Sequence, residues 1–78
     1  MQVTIADLKI GQKGTITDFN IDEVPLKLLE MGCLPGNSIE LIQIAPLGCP
    51  LYFNVNDSHV AIRLEMAKEI NVLIEINI

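Results

Sequence analysis

The sequence predicts a small, mainly β protein, in which five short antiparallel strands form a barrel with one or two short helices. Three observations lead to this fold class. The chain has 78 residues, enough for a single domain over residues 1–78 with a limited core. Half of the residues are hydrophobic, and most of these are Ile, Leu and Val, which fit pleated strands. Two turn-forming segments rich in Gly and Pro, residues 32–36 and 46–50, divide the chain into runs too short for long helices. We call these segments the Gly/Pro corners.

The first predicted strand follows an apolar lead-in. Residues 5–10 form this lead-in, with Leu8 as its anchor, and a polar turn then precedes a strand at about residues 15–19. We therefore expect the sheet to begin at this strand.

A two-turn helix is predicted next, ending at Gly32. Asp22 is the expected helix cap, and Pro25 fits the first turn, where its missing N–H is no loss. Three residues recur at helical spacing: Leu26, Leu29 and Cys33. Gly32 can take the left-handed conformation that ends a helix, and Pro35-Gly36 then predicts a type II turn.

Two hairpins follow this corner. Residues 38–44 are rich in strand-forming residues, and residues 51–55 alternate between apolar and polar. A rigid loop with Pro46, Gly48 and Pro50 joins them. The tight turn at 56–58 returns the chain into a strand at 59–62.

The last predicted strand closes the sheet. Residues 63–69 favour a single helical or 3₁₀ turn, which leads the chain into a strand at 70–76. We expect this strand to pair with the first one and so to hide the sheet edges. Together these elements indicate a small antiparallel barrel of the SH3-like kind.

Charge and hydropathy exclude several functions. The net charge of −5 repels phosphate backbones and anionic lipid surfaces, so we expect no nucleic-acid binding. The chain has no signal-peptide pattern and no apolar run of the roughly 20 residues that a membrane helix needs. We therefore expect a cytoplasmic protein without direct membrane insertion.

The residues that would carry metal or catalytic chemistry are sparse. Cys33 and Cys49 lie far apart without a C-x-x-C motif, and His59 is the only histidine. We expect no metal site and no cofactor, with Cys33 packed beneath the helix corner, Cys49 in the rigid loop and no disulfide. His59 lies near Asp57 but has no suitably placed nucleophile, so we expect no catalytic residue and a protein that is not an enzyme.

Arg63 is the only arginine and follows a predicted strand. Since Glu65 and Glu69 lie nearby for pairing, we expect a structural role for Arg63 rather than that of an arginine finger.

A multi-part pattern spans nearly the whole chain and resembles the FeoA family of ferrous iron transport proteins. Its parts are Leu8, Gly11, Gly14, Ile16, Leu28-Leu29-Glu30-Met31-Gly32, Leu34-Pro35-Gly36, Ala45-Pro46-Leu47-Gly48-Cys49-Pro50, Ala61-Ile62-Arg63 and Ala67. The resemblance implies an SH3-like fold and an accessory role beside FeoB, a membrane protein that has a GTPase domain and moves Fe(II). A cytoplasmic protein would then reach the inner membrane through this partner.

The same fold also appears at the C-terminus of metal-responsive repressors of the DtxR type. A metal-responsive regulatory domain of that type is therefore the alternative function. This chain lacks the DNA-binding unit that precedes the domain in those repressors, which favours the transport accessory.

The expected mode of action is protein–protein interaction through aliphatic side chains. Leu47 is the first candidate because it lies at the tip of a rigid loop, where little core is within reach. The full set of predicted partner-interaction residues is Leu26, Met31, Leu34, Pro46 and Leu47. The sequence leaves open whether the chain forms a homo-oligomer, and whether it activates, stabilises or assembles the transporter.

Overall fold

The computed structural model describes residues 2–20 and 22–74, which contain one antiparallel sheet of six strands. The strands are β1 (Gln2–Thr4), β2 (Lys13–Phe19), β3 (Ser38–Ile44), β4 (Leu51–Val55), β5 (Ser58–Ile62) and β6 (Ile70–Leu73). Two short helices, α1 (Leu26–Glu30) and α2 (Leu64–Ala67), lie between strands. The predicted mainly β fold class is confirmed, with one strand more than expected.

The additional strand is β1, which pairs with β6 through partners such as Val3 and Val72. A 3₁₀ turn at Ile5–Asp7 follows β1, and the backbone N–H of Thr4 donates to Oδ2 of Asp7 at 3.0 Å. The turn buries Ile5, and Leu8 beyond it is also buried, as expected for the residue that anchors this segment to the core. A strand of three residues is too short for alternation to reveal it.

Helix α1 is shorter than predicted, and the assignment of Asp22 as its cap is wrong. The helix begins at Leu26 after Pro25, and no side chain caps it. The backbone N–H of Asp22 instead donates to Oδ1 of Asn20 at 3.1 Å. Hydrogen-bonded turns continue from α1 to Gly32, where the predicted left-handed conformation is confirmed by a φ of +104°.

The corner after α1 is the predicted type II turn. The backbone N–H of Asn37 donates to the carbonyl of Leu34 at 3.0 Å, and Gly36 has a φ of +95°. The corner is fixed to β2 because the N–H of Gly36 donates to the carbonyl of Ile16 at 2.7 Å.

Both predicted hairpins are confirmed. Strand β3 pairs with β4, and β4 pairs with β5 across a two-residue turn at Asn56 and Asp57, which have φ values of 51° and 65°. Positive φ at both positions is typical of the turn whose twist matches that of the flanking strands. Strand β5 begins at Ser58, one residue earlier than predicted.

The predicted pairing of the last strand with the first predicted strand is confirmed as β6 with β2, and the predicted helical turn before it is α2. The expected continuation of the strand to Ile76 falls partly outside the described residues, which end at Ile74. The strand order is β1-β6-β2-β3-β4-β5, so β1 and β5 form the two ends of the sheet. The expectation that closure hides the sheet edges is therefore wrong: in the described chain β1 pairs only with β6, and β5 only with β4.

The core consists of aliphatic residues around Phe53, which is fully buried on β4. Every strand except β1 contributes fully buried or nearly buried residues to the core. Helices α1 and α2 and the 3₁₀ turn add further buried residues. No polar or charged residue is buried as a whole within residues 2–20 and 22–74, but the Oδ1 atom of Asn54 on β4 is buried and accepts no hydrogen bond.

Candidate protein-interaction surface

The β3–β4 loop presents Leu47 to solvent, with 96% of the residue exposed. Two backbone hydrogen bonds hold the loop: the N–H of Gly48 donates to the carbonyl of Ala45 at 2.8 Å, and the N–H of Ala45 donates to the carbonyl of Pro50 at 3.1 Å. The loop is thus closed at its base, and Leu47 lies outside the core, as the sequence analysis placed it.

The other four predicted interaction residues are also at least partly accessible. Leu26 is 68% exposed at the start of α1, and Leu34 and Pro46 are exposed, whereas Met31 is half-buried at the end of α1. They occupy two separate segments, residues 26–34 and the β3–β4 loop. Their part in partner binding stays a prediction.

An apolar groove of about 420 Å³ lies between α1 and β5; we name it the β5–α1 groove. The α1 side is lined by Pro25, Lys27, Leu28 and Met31. The β5 side is lined by His59, Val60, Ala61 and Ile62, and the end near α2 by Arg63 and Met66. Met31 is the predicted interaction residue that lines this groove.

Contacts at both ends hold the groove in place. At the Met31 end, Gly32 packs closely on Asn56 in the β4–β5 turn. At the Arg63 end, the backbone N–H of Leu64 donates to Sγ of Cys49 at 3.3 Å, which attaches the β3–β4 loop to α2. The loop that carries Leu47 is therefore attached next to the groove.

Sequence reasoning missed most of the groove-lining residues, including Lys27, Val60, Ile62 and Met66. The local signals were present, since Leu28 and Met31 are three residues apart on one helix face and Val60 and Ile62 alternate with exposed neighbours. What brings them together is the packing of α1 beside β5, which no local pattern specifies.

The cysteines are both free and differ in environment. Cys33 is fully buried in the core beneath the helix corner, as predicted, and burial raises the pKa of its thiol. Cys49 is exposed in the β3–β4 loop. In the part of the chain that the structure describes, no three His, Cys, Asp or Glu side chains are grouped so that they could hold a metal ion.

Arg63 is exposed and forms no ion pair within residues 2–20 and 22–74, so the expected pairing with Glu65 or Glu69 is wrong. Arg63 instead lines the groove at the point where β5 leads into α2. No described helix has the length and apolar character needed to cross a membrane.

Comparison with a known sequence links this fold to iron transport. The Porphyromonas gingivalis Fe(2+) transport protein A/Fe(2+) transporter FeoB fusion protein is 41% identical over 46 residues. The match covers 59% of this chain and only 6% of that long relative.

Several solved structures share the fold. FeoA from Chlorobium tepidum superposes with a TM-score of 0.84 at 27% identity, covering 92% of this chain and 70% of that one. The zinc complex of Stenotrophomonas maltophilia FeoA, an SH3 domain protein, has a TM-score of 0.73 at 22% identity, over 94% and 89% of the two chains. IdeR from T. acidophilum has a TM-score of 0.80 at 20% identity, over 95% of this chain and 34% of that one. The last two likenesses show the SH3-like fold alone.

The family is shown by a sequence model of the FeoA domain, which matches residues 3–73. This match includes both Gly/Pro corners, the six strands except the first residue of β1, and the β5–α1 groove. The chain therefore belongs to the FeoA domain family.

Proposed function

We propose that this chain is a small accessory protein of ferrous iron uptake that acts by binding a FeoB-type transporter. The observation that carries the proposal is the fusion relative, in which a segment similar to this chain is part of one polypeptide with a FeoB transporter. Domains that are fused in one organism commonly work together where they are separate. The proposal places the chain in the cytoplasm, at the inner membrane through its partner.

The proposed mode of action is contact through the surface rather than chemistry. Leu47 and Leu26 expose 96% and 68% of their surfaces, and rigid presentation of Leu47 reduces the entropy lost on binding. Together with Met31, Leu34 and Pro46 they form the proposed docking set. No group of this chain is assigned a catalytic role, so the protein is proposed to be a binding partner and not an enzyme.

The proposal is tested by capture of detergent-solubilised FeoB from the same cell with the chain as bait. Leu47→Asp should abolish or strongly reduce capture because it places a charge in an apolar contact. Ile10→Asp is the matched control, since Ile10 is 63% exposed and lies outside the docking set. Both variants should keep the wild-type circular dichroism spectrum. Failure of the wild-type chain to capture FeoB would overturn the proposal, and equal capture by Leu47→Asp would remove Leu47 from the docking set.

The alternative of a metal-responsive regulatory domain is supported by the likeness of fold to IdeR. It requires a metal ion bound to this domain. Equilibrium dialysis against Fe(II) or Zn(II) separates the two functions: tight, stoichiometric uptake that Cys33→Ser abolishes would favour the regulatory domain.

A further inference from the structure

Strand β5 is an end strand of the sheet, and the backbone groups of two of its five residues point away from β4. The two-residue turn makes Val55 and Ser58 a hydrogen-bonded pair, so hydrogen-bonded and non-hydrogen-bonded pairs alternate along the hairpin. His59 and Ala61 fall on the non-hydrogen-bonded positions, opposite Asn54 and Tyr52. Their N–H and C=O groups therefore face outward, and no described residue bonds to them.

These outward groups lie beside the β5–α1 groove. His59 and Ala61 line it, with the buried side chains of Val60 and Ile62 beside them. An uncovered edge of this kind is a ready template for another strand, and proteins usually protect it with charge, a bulge or a covering element. Here α1 lies across the groove from the edge without pairing to it.

The opposite wall accepts apolar side chains. Leu28 and Met31 face the groove from α1, and Met66 closes the end near α2. Methionine adapts to differently shaped partners because its side chain is flexible and polarisable. An extended segment placed along β5 would therefore direct alternate side chains into an apolar pocket.

Charge favours a particular kind of segment. The groove is lined by two cations, Lys27 on α1 and Arg63 after β5, and no Asp or Glu is among the described residues that line it. The chain as a whole carries a net charge of −5. A positively charged groove is complementary to an acidic segment. A symmetric pairing of two β5 edges would instead bring two cationic grooves and two chains of net charge −5 together, which disfavours a second copy of this chain.

We propose that the outward-facing edge of β5 binds an extended segment of the FeoB-type partner as an added strand, with its apolar side chains in the β5–α1 groove and its acidic side chains beside Lys27 and Arg63. This inference rests on the proposed function for the identity of the partner. The binding mode is strand addition, in which main-chain hydrogen bonds give affinity and the groove selects the side chains.

The test uses the full chain and detergent-solubilised FeoB from the same cell, with binding measured by titration. Ala61→Pro removes an outward N–H that takes no part in the β4–β5 ladder, a position where an edge strand tolerates proline. It should keep the wild-type fold and bind FeoB about tenfold or more weakly, because at least one inter-strand hydrogen bond is lost and the ring obstructs the edge. Ala61→Val keeps the N–H and is the comparison variant: it should weaken binding less than Ala61→Pro, because only the proline removes the main-chain donor.

Charge reversal and amide exchange give two independent measurements. Lys27→Glu should weaken binding about tenfold, whereas Lys68→Glu, an equal charge change outside the groove, should alter it less than about twofold. Amide hydrogen exchange at His59 and Ala61 should be fast in the free chain and slow at least about tenfold with FeoB bound. Val60 and Ile62 are internal references because their N–H groups already bond to β4.

The outcomes separate this inference from the proposed function. If wild-type FeoB binding is intact while Ala61→Pro binds equally well, or while the amides of His59 and Ala61 stay unprotected, the strand-addition mode is overturned and the accessory function stands. If no form of the chain binds FeoB, both proposals fall. If the isolated chain sediments as a dimer that Ala61→Pro dissociates, a second copy occupies the edge and FeoB is excluded as its occupant. If Ala61→Pro loses the wild-type circular dichroism spectrum, Lys27→Glu and the exchange measurement decide.

Discussion

Gly32 packs against Asn56 so closely that a Cβ added at Gly32 would lie 3.0 Å from the Cβ of Asn56. This contact joins the end of α1 to the β4–β5 turn. We predict that Gly32→Ala destabilises the fold by about 2 kcal/mol or more, since the side chain must accept both a φ of +104° and a steric clash. Urea denaturation followed by circular dichroism measures the loss.

A second glycine separates the cost of the positive φ from the cost of the steric clash. Gly36 has a similar φ of +95°, but a Cβ there would meet no atom within 4 Å. Gly36→Ala should therefore cost only the conformational part, about 1–2 kcal/mol. Equal losses in the two variants would show that the contact with Asn56 relaxes without cost.

Truncation of Phe53 should remove a large part of the stability of the domain. Phe53 is fully buried at the centre of the core, and Phe→Ala changes in such positions cost about 3–5 kcal/mol. A domain of this size has a free energy of unfolding of about 4–12 kcal/mol in total. Tyr52→Ala, on the next residue of β4 and 41% exposed, is the control and should cost much less. Thermal unfolding of both variants measures the two losses of stability.

The two thiols should differ strongly in reactivity. Cys49 is exposed, whereas Cys33 is buried, and burial raises the pKa of the Cys33 thiol and so reduces its thiolate fraction. A disulfide reagent added to the native chain should modify one thiol quickly, and the second only at the rate of unfolding. Cys49→Ser should abolish the fast phase, and fast modification of that variant would contradict the burial of Cys33.

Alkaline conditions should weaken the fold through Cys33. Its pKa in the folded chain is raised above the ordinary value of 9.0, so the stabilising contribution is fully present below that value and is lost as pH rises through the folded pKa. The free energy of unfolding should therefore fall above about pH 9. Cys33→Ala should show a smaller fall in the free energy of unfolding, because the buried thiol is absent. If the free energy of unfolding depends on pH in the same way in the wild type and in Cys33→Ala, Cys33 does not cause the loss of stability.

Local patterns predicted the hairpins well. The alternation over 51–55, the turn residues at 56–58 and the Pro/Gly loop each determine structure within a few residues, and all three appear as expected. The start of α1 was misplaced because Asp22 is a good cap residue by type, yet the helix begins four residues later. Strand β1 depends on pairing with β6 at the other end of the chain, which its own three residues do not reveal.

The candidate site was only partly accessible to sequence reasoning. The exposure of Leu47 could be predicted because its loop is fixed locally by Pro and Gly. The β5–α1 groove could not, since it exists only where α1 packs beside a strand that lacks a second neighbour. Whether a strand lies at the edge of a sheet is a property of the whole topology.

No charged residue is buried in the described chain, and this has a consequence for acidic surroundings. Proteins commonly unfold in acid when buried or paired carboxylates must take up protons. Here every described carboxylate remains in contact with water, and those of Asp7 and Asp18 accept hydrogen bonds only at the exposed surface. Within residues 2–20 and 22–74 the structure therefore offers no buried or internally ion-paired carboxylate through which acid could unfold it in this way.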